Sequence, residues 1–270
     1  MRVRDVWLVS WHRRQGARGG SGTVHTRGVR PKAVLLDFGG TLVEELEYDP
    51  RRGAAWMLAR AAFCPPHVTL DDVVARADRV TRELAMRRDE FQIETPWPAL
   101  TRLIHDFLGI RFDAPMHELE IGFWRAATRT APRAGACDAM AALAHAGVAM
   151  AVVSNSSFGE LVIRAELARH GLAEALAFIM VSAEYAVRKP QALLFDTAAA
   201  RLGLAPRDIW FIGDTLDTDI AGARAAGMTA VWLRPAGADA PTSVEPDRIA
   251  DDWPALVRLA CALVSYAARR

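Results

Sequence analysis

Carboxylates, hydroxyls and one ammonium group recur in four short stretches of this sequence: Asp37-Phe38-Gly39-Gly40-Thr41-Leu42, Ser154-Asn155, Arg188-Lys189-Pro190, and Gly213-Asp214 followed by Asp217 and Asp219. The set suits phosphoryl transfer through a covalent aspartyl intermediate. A carboxylate attacks phosphorus at neutral pH without first losing a proton, but two anions repel, so cations must screen them. Asp37 and Asp214 could together hold Mg²⁺, a hard ion that takes few carboxylates and keeps several waters. Lys189 would put positive charge on the phosphoryl oxygens. The hydroxyl of Thr41 or Ser154 and the backbone amides of the Gly39-Gly40 turn would donate hydrogen bonds to them, and glycine lets the backbone come close to a ligand.

Each stretch follows a short apolar run, or a run and a short loop. The runs are Ala33 to Leu36, Val148 to Val153, Phe178 to Val181, Ile209 to Ile212 and Ala230 to Leu233, apolar on both faces as buried parallel strands are. Between them, Phe158 to His170, Ala192 to Leu202 and Thr218 to Ala226 repeat apolar residues at helical spacing and stop at Gly171, Gly203 and Gly227. A last amphipathic helix is expected over Pro254 to Ala267. Open parallel sheets carry their functional groups at the carboxyl ends of the strands, where all four stretches fall. Taken singly, Ser154-Asn155 reads as a turn or cap, Lys189-Pro190 as a helix start, and Asp217-Thr218 as helix N-caps. Order and placement at successive strand ends give the set its meaning.

The first and second runs are separated by about ninety residues, far more than an ordinary connection, with no comparable strand run between them. Arg51 to Ala62, Leu70 to Arg88, Trp97 to Leu108 and Met116 to Thr128 look helical. Residues 43–131 are therefore expected to form a helical domain inserted into an α/β core of residues 31–42 and 132–270. Aromatic residues of this insert, Trp56, Phe91, Trp97, Phe107, Phe123 and Trp124, read as core before they read as a substrate pocket.

The composition is that of a soluble globular protein: 270 residues, 51% hydrophobic, 24% charged, 33 Lys+Arg against 32 Asp+Glu. Residues 1–30 hold seven arginines and Asp5 as their one acid, which leaves the remainder mildly acidic. They read as a flexible Arg/Gly-rich extension whose first residues belong to an uncertain start. An acidic body argues against nucleic acid as a partner. Three cysteines, Cys64, Cys137 and Cys261, lie far apart without metal-site spacing, which fits a reducing, cytoplasmic compartment. No apolar run approaches a membrane span, so no membrane partner is expected.

With these motifs in this order, the chain from about Lys32 to Arg270 resembles the haloacid dehalogenase (HAD) superfamily, mostly Mg²⁺-dependent phosphatases, with a helical cap inserted after the first strand. The resemblance implies an α/β, Rossmann-like parallel sheet core. It implies Asp37 as nucleophile, Ser154 as phosphate-binding hydroxyl, Lys189 as the motif lysine, and Asp37, the Gly39 carbonyl, Asp214 and Asp219 around the metal. Gly40, Thr41, Asn155 and Lys189 fall in the phosphate-binding positions.

One departure matters. Phosphatases of this superfamily usually carry a second Asp two positions after the nucleophile, which protonates the leaving group and then activates water; here that position is Gly39. General acid–base help is worth roughly 10²- to 10⁴-fold. Weak turnover of alkyl phosphates is therefore expected, unless the leaving group is good, as in acyl or aryl phosphates, or Glu44 or Glu45 reaches in. Phosphonate-cleaving relatives need a cap lysine, but the only lysines are Lys32 and Lys189. Dehalogenation is a minor possibility, because those relatives dispense with metal. The expectation is a hydrolase of a small phosphorylated metabolite, monomer or homodimer; the contrasting one is a weakened member that binds a phosphorylated ligand or a protein partner.

Overall fold

The computed structural model describes residues 30–238 and 244–267. Apart from Arg30, the expected N-terminal extension lies outside these residues. Five apolar runs become five strands of one parallel sheet: β1 (Ala33–Leu36), β4 (Ala149–Ser154), β5 (Leu176–Val181), β6 (Ile209–Gly213) and β7 (Thr229–Leu233). A short sixth strand, β8 (Arg248–Ala250), completes the order β5-β4-β1-β6-β7-β8. β1 is central, with Leu36 beside Val152 of β4 on one side and Ile212 of β6 on the other. All four of its residues are fully buried.

Because strand side chains alternate between faces, the sheet supports two separate cores. Ala33, Leu35, Val153, Phe178, Met180 and Phe211 face one way, toward Leu194, Phe195 and Ala198 of α8 (Ala192–Leu202) and Ala223 of α9 (Ala221–Ala225). Val34, Leu36, Val152, Ile179, Trp210 and Ile212 face the other way. There they meet Met140 and Leu143 of α5 (Ala136–His145), Ile163 and Leu167 of α6 (Glu160–Arg169), and Trp253 and Leu256 of α10 (Trp253–Ala267). The three stop glycines, Gly171, Gly203 and Gly227, all take positive φ, as glycines that end helices do.

The helix expected over Thr218 to Ala226 departs from its pattern. A π-helical turn, Leu216–Ile220, leads into α9, and the residue before that turn is Thr215 rather than Asp217 or Thr218. A π turn adds a residue to the helical ring, which lets Asp219 turn back toward the sheet instead of following the helix surface.

Between β1 and α5 the chain leaves the sheet. The helices found there are α1 (Pro50–Leu58), α2 (Leu70–Phe91), α3 (Trp97–Leu108) and α4 (Met116–Ala127). The expectation that residues 43–131 lack strands is corrected: β2 (Val43–Tyr48) and β3 (Thr128–Pro132) pair antiparallel as a two-stranded ribbon at the root of the insert. Its sequence, Val-Glu-Glu-Leu-Glu-Tyr, is mostly exposed, so no apolar run marks it. Helices α1 to α3 share a small core of Ala54, Val73, Val80, Leu100, Ile104 and Ile110. By contrast α4 joins the sheet-side core, where Phe123 and Trp124 pack with Phe38, Trp97 and Phe158, the Trp124–Phe158 ring centroids lying 4.9 Å apart. Trp97, Phe123 and Trp124 are thus core residues, while Phe91 and Phe107 lie exposed.

Candidate active site

Asp37 is the first residue past β1, and its amide donates to the carbonyl of Ile212 in β6 at 3.0 Å. That bond extends the parallel pairing one residue beyond the strand and fixes Asp37 against the end of β6. Ser154 closes β4 on the other side, 3% exposed. Gly213 closes β6, and Asp214 follows it. Short parallel strands ending in register thus bring residues 37, 154 and 214 to one rim.

Lys189 comes from the connection between α7 (Ser182–Tyr185) and α8. Its Nζ lies 2.7 Å from Asp37 Oδ1 and 2.7 Å from Asp219 Oδ1, with the side chain 2% exposed. The ammonium also lies over the Phe211 ring, 5.3 Å from its centroid. Burial works to lower the lysine pKa, but Asp219 and Asp37 outweigh it and hold the pKa above its ordinary value.

Asp37, Asp214 and Asp219 each offer an oxygen within 4.8 Å of the others. Burial raises Asp214 to about 7, with repulsion from Asp37 and Asp219 adding to it. Burial likewise raises Asp219 to about 6, against the pull of Lys189. Three carboxylates facing one ammonium leave the cluster short of positive charge. Hard oxygen donors around an unmet negative charge fit a divalent cation such as Mg²⁺. The roles within the cluster differ. Both oxygens of Asp219 are engaged, Oδ1 by Lys189 and Oδ2 by the Thr215 amide at 3.1 Å, so its immediate work is to hold the lysine.

The two glycines of the turn play opposite parts. Gly40 has φ +72, and a Cβ there would sit 2.3 Å from Asp214 Oδ2; only glycine admits the Asp214 carboxylate so close to the first motif. Gly39 is exposed, and a Cβ there would meet nothing within 4 Å. Neither Glu44 nor Glu45, both exposed on β2, fills that space. Thr41 is fully buried, and its Oγ1 has no hydrogen-bond partner among the described residues.

Asn155, expected on the phosphate, instead spends its side chain on the lysine backbone. Its Oδ1 accepts from the Lys189 amide at 2.7 Å, and its Nδ2 donates to the Lys189 carbonyl at 3.0 Å. Three further residues support the site without having been singled out in the sequence. Arg133 donates to the carbonyls of Gly40 and, at 3.0 Å, Arg234. Trp232 Nε1 donates to the Asp214 carbonyl at 2.8 Å, and Trp253 Nε1 to that of Thr41 at 3.0 Å. All three act on main-chain carbonyls, which no side-chain motif records. Trp232 lies inside an apolar run and Trp253 just before the last expected helix, positions that mark buried indoles but not their targets.

Two cavities, of about 650 and 610 Å³, lie away from this rim: one between β3, α4 and α6, the other inside the insert around Phe63, His105 and Phe112. Neither is lined by Asp37, Ser154 or Lys189. No helix among the described residues is long and apolar enough to cross a membrane.

With a parallel sheet of this order and carboxylates gathered at its rim, the class is that of a hydrolase, and comparison with known proteins agrees. Residues 31–227 match the family of haloacid dehalogenase-like hydrolases, and the chain belongs to that family. A phosphoglycolate phosphatase of Xylella fastidiosa is 30% identical over 225 residues, covering 82% of this chain and 89% of the relative. A phosphoserine phosphatase of Thermus thermophilus is 34% identical over 87 residues, 32% of this chain; the chain matches about a third (34%) of that relative's length. Among solved structures, the 2-haloacid dehalogenase of Pseudomonas syringae pv. Tomato has a TM-score of 0.57 at 20% identity, over 89% of this chain and 100% of that one. That last likeness concerns the fold.

Proposed function

We propose that the protein is a Mg²⁺-dependent phosphatase of a small phosphorylated metabolite that works through an aspartyl phosphate on Asp37. The observation that carries this reading is the single cluster in which Asp37 shares Lys189 with Asp219 while Asp214 stands within 4.8 Å. Three carboxylates around a single ammonium suit a divalent cation, which phosphoryl transfer uses and a metal-free displacement does not, and this favours the phosphatase over dehalogenation. The phosphatase names of the full-length and partial relatives point the same way.

Asp37, the Gly39 carbonyl and Asp214 would hold the metal, with Asp219 steadying the cluster. Bound there, Mg²⁺ would neutralise the phosphoryl charge that otherwise repels the Asp37 carboxylate. Asp37 forms the new O–P bond as the ester P–O bond breaks, and Lys189 and Ser154, with the Thr41 amide, hold the phosphoryl oxygens, the Gly40 amide being spent on the Val43 carbonyl at 2.8 Å. Water then attacks phosphorus, releasing inorganic phosphate and restoring the carboxylate. At neither step does a side chain at residue 39 supply or take the proton. The leaving-group oxygen must depart as an anion or be protonated by solvent, so acyl and aryl phosphates are the favoured substrates.

The empty space beside Gly39 also favours a second reading, a protein that binds a phosphorylated ligand and turns it over little. One experiment separates the two: Mg²⁺-dependent phosphate release across sugar, nucleotide, acyl and aryl phosphates, with Asp37→Asn as the blank. Turnover of acyl and aryl esters that Asp37→Asn abolishes supports the phosphatase. Silence on every ester, with retained ligand binding, supports the binding protein.

A further inference from the structure

Glu94 lies in the connection between α2 and α3, far in sequence from every motif, yet its side chain is completely buried. Four donors converge on the carboxylate. Oε1 accepts from Ser157 Oγ at 3.0 Å and from the Thr95 amide at 3.1 Å; Oε2 accepts from Ser182 Oγ at 2.6 Å and from the Arg188 guanidinium. That satisfies all the lone-pair positions of a carboxylate. Ser157 follows β4, Ser182 follows β5, and Arg188 immediately precedes Lys189. One residue of the insert therefore gathers three segments at the carboxyl edge of the sheet.

The backbone repeats the junction. The Glu94 amide donates to Ala186 at 3.2 Å, the Arg188 amide to Gln92 at 2.9 Å, and the Trp97 amide to Ser157 at 2.7 Å. Ile93 and Val187 form a bridge. Gln92 and Ala186, with φ of 53 and 57, are the non-glycine residues of positive φ among the described residues, and each immediately precedes its segment's partner in the Ile93–Val187 bridge. Such conformations are uncommon for residues with a Cβ and persist where surrounding contacts over-determine them.

We propose that Glu94 is a positioning residue for Lys189. The lysine backbone is gripped by Asn155 from the sheet side, and Glu94, through Arg188, braces the same segment from the insert. The ammonium reaches Asp37 and Asp219 only when the segment 92–97 is seated, so completing the charge cluster and docking the insert are one event. Placement of such a group must hold to a fraction of an ångström, and a buried, saturated carboxylate supplies that rigidity. The consequence for catalysis rests on the phosphatase reading above; the positioning itself does not.

The chain has two lysines, and Lys32 is exposed while Lys189 is buried. Protein labelled with ¹³Cε-lysine therefore gives two resonances that report on the two places separately. Glu94→Gln is expected to move the Lys189 resonance toward that of free lysine, leave Lys32 in place, and speed amide hydrogen exchange over residues 185–191 at least tenfold. On an ester that the wild-type protein hydrolyses, kcat should fall tenfold or more while KM changes less than threefold. Ser182→Ala keeps both charges and removes one donor, so it should show the same changes in smaller degree and serves if Glu94→Gln fails to fold. Unchanged Lys189 resonance and exchange in either folded variant overturns the proposal. Asp37-dependent hydrolysis with an unmoved Lys189 resonance would sink the positioning role and spare the phosphatase; a latch-dependent resonance in a protein that hydrolyses no phosphate would do the reverse.

Discussion

Replacing Gly39 with Asp should convert this protein into a brisk phosphatase of alkyl esters. The backbone at residue 39 is outside the left-handed region, and the new Cβ would meet nothing within 4 Å, so the side chain enters without strain or displacement. Because the position is exposed, the effect on stability should stay within about 0.5 kcal/mol. The catalytic effect should be far larger. A positioned acid contributes roughly 10²- to 10⁴-fold, equivalent to about 3 to 5 kcal/mol of transition-state stabilisation. Aryl esters, whose leaving groups need little protonation, should gain much less. The assay is Mg²⁺-dependent phosphate release from a matched pair of alkyl and aryl monophosphates, with melting temperature and Mg²⁺ affinity as controls. A folded, Mg²⁺-binding Gly39→Asp protein that gains nothing on the alkyl ester refutes the idea that the missing acid limits turnover.

The neighbouring substitution should behave oppositely: Gly40→Ala places a Cβ 2.3 Å from Asp214 Oδ2 at positive φ, and a drop in hydrolysis of at least a hundredfold, with weakened Mg²⁺ binding by calorimetry, is expected. Asn155→Ala frees both ends of the Lys189 peptide and should lower kcat tenfold or more with little change in melting temperature, measured by steady-state kinetics and thermal denaturation. His105, buried in the insert, has its pKa lowered by burial to about 4 from 6.5, so the folded protein keeps it neutral while the unfolded chain protonates. Its contribution is intact above pH 6.5 and is lost as pH falls toward 4, by about 3 kcal/mol in all. Urea denaturation between pH 7.5 and 4.5 should show that loss, and His105→Met should flatten it.

The parallel sheet was legible because β1, β4, β5, β6 and β7 are buried on both faces, and a strand of that kind announces itself as an unbroken apolar run. The ribbon was not, because Glu44 and Glu45 are exposed, Glu47 is half-buried among arginines, and β3 ends in Pro132; its pairing joins segments about eighty residues apart and leaves no local pattern. β8, three residues long with one buried, was too short to register. At the site, Asp37, Ser154, Lys189 and Asp214 could be located from strand ends, since β1, β4 and β6 fix them in register. Asn155 could be located but its target could not, as an amide next to a motif hydroxyl looks like a second ligand until the Lys189 peptide is seen between its two atoms. Glu94 and Arg133 carried no linear signal at all. Each is one charged residue among many, and only the return of a distant segment makes it particular.

The division of the insert between two cores sets where this chain can be rebuilt. Val73, Val80, Leu100, Ile104 and Ile110 pack among themselves, whereas Leu119, Phe123 and Trp124 of α4 belong with the sheet, and α1 contributes Ala54 to the first group and Met57 to the second. A graft that exchanges the whole insert would tear out part of the sheet's own packing. One that exchanges the α2–α3 hairpin alone, keeping α1, α4 and the residues at 94 and 97, leaves the sheet-side core entire.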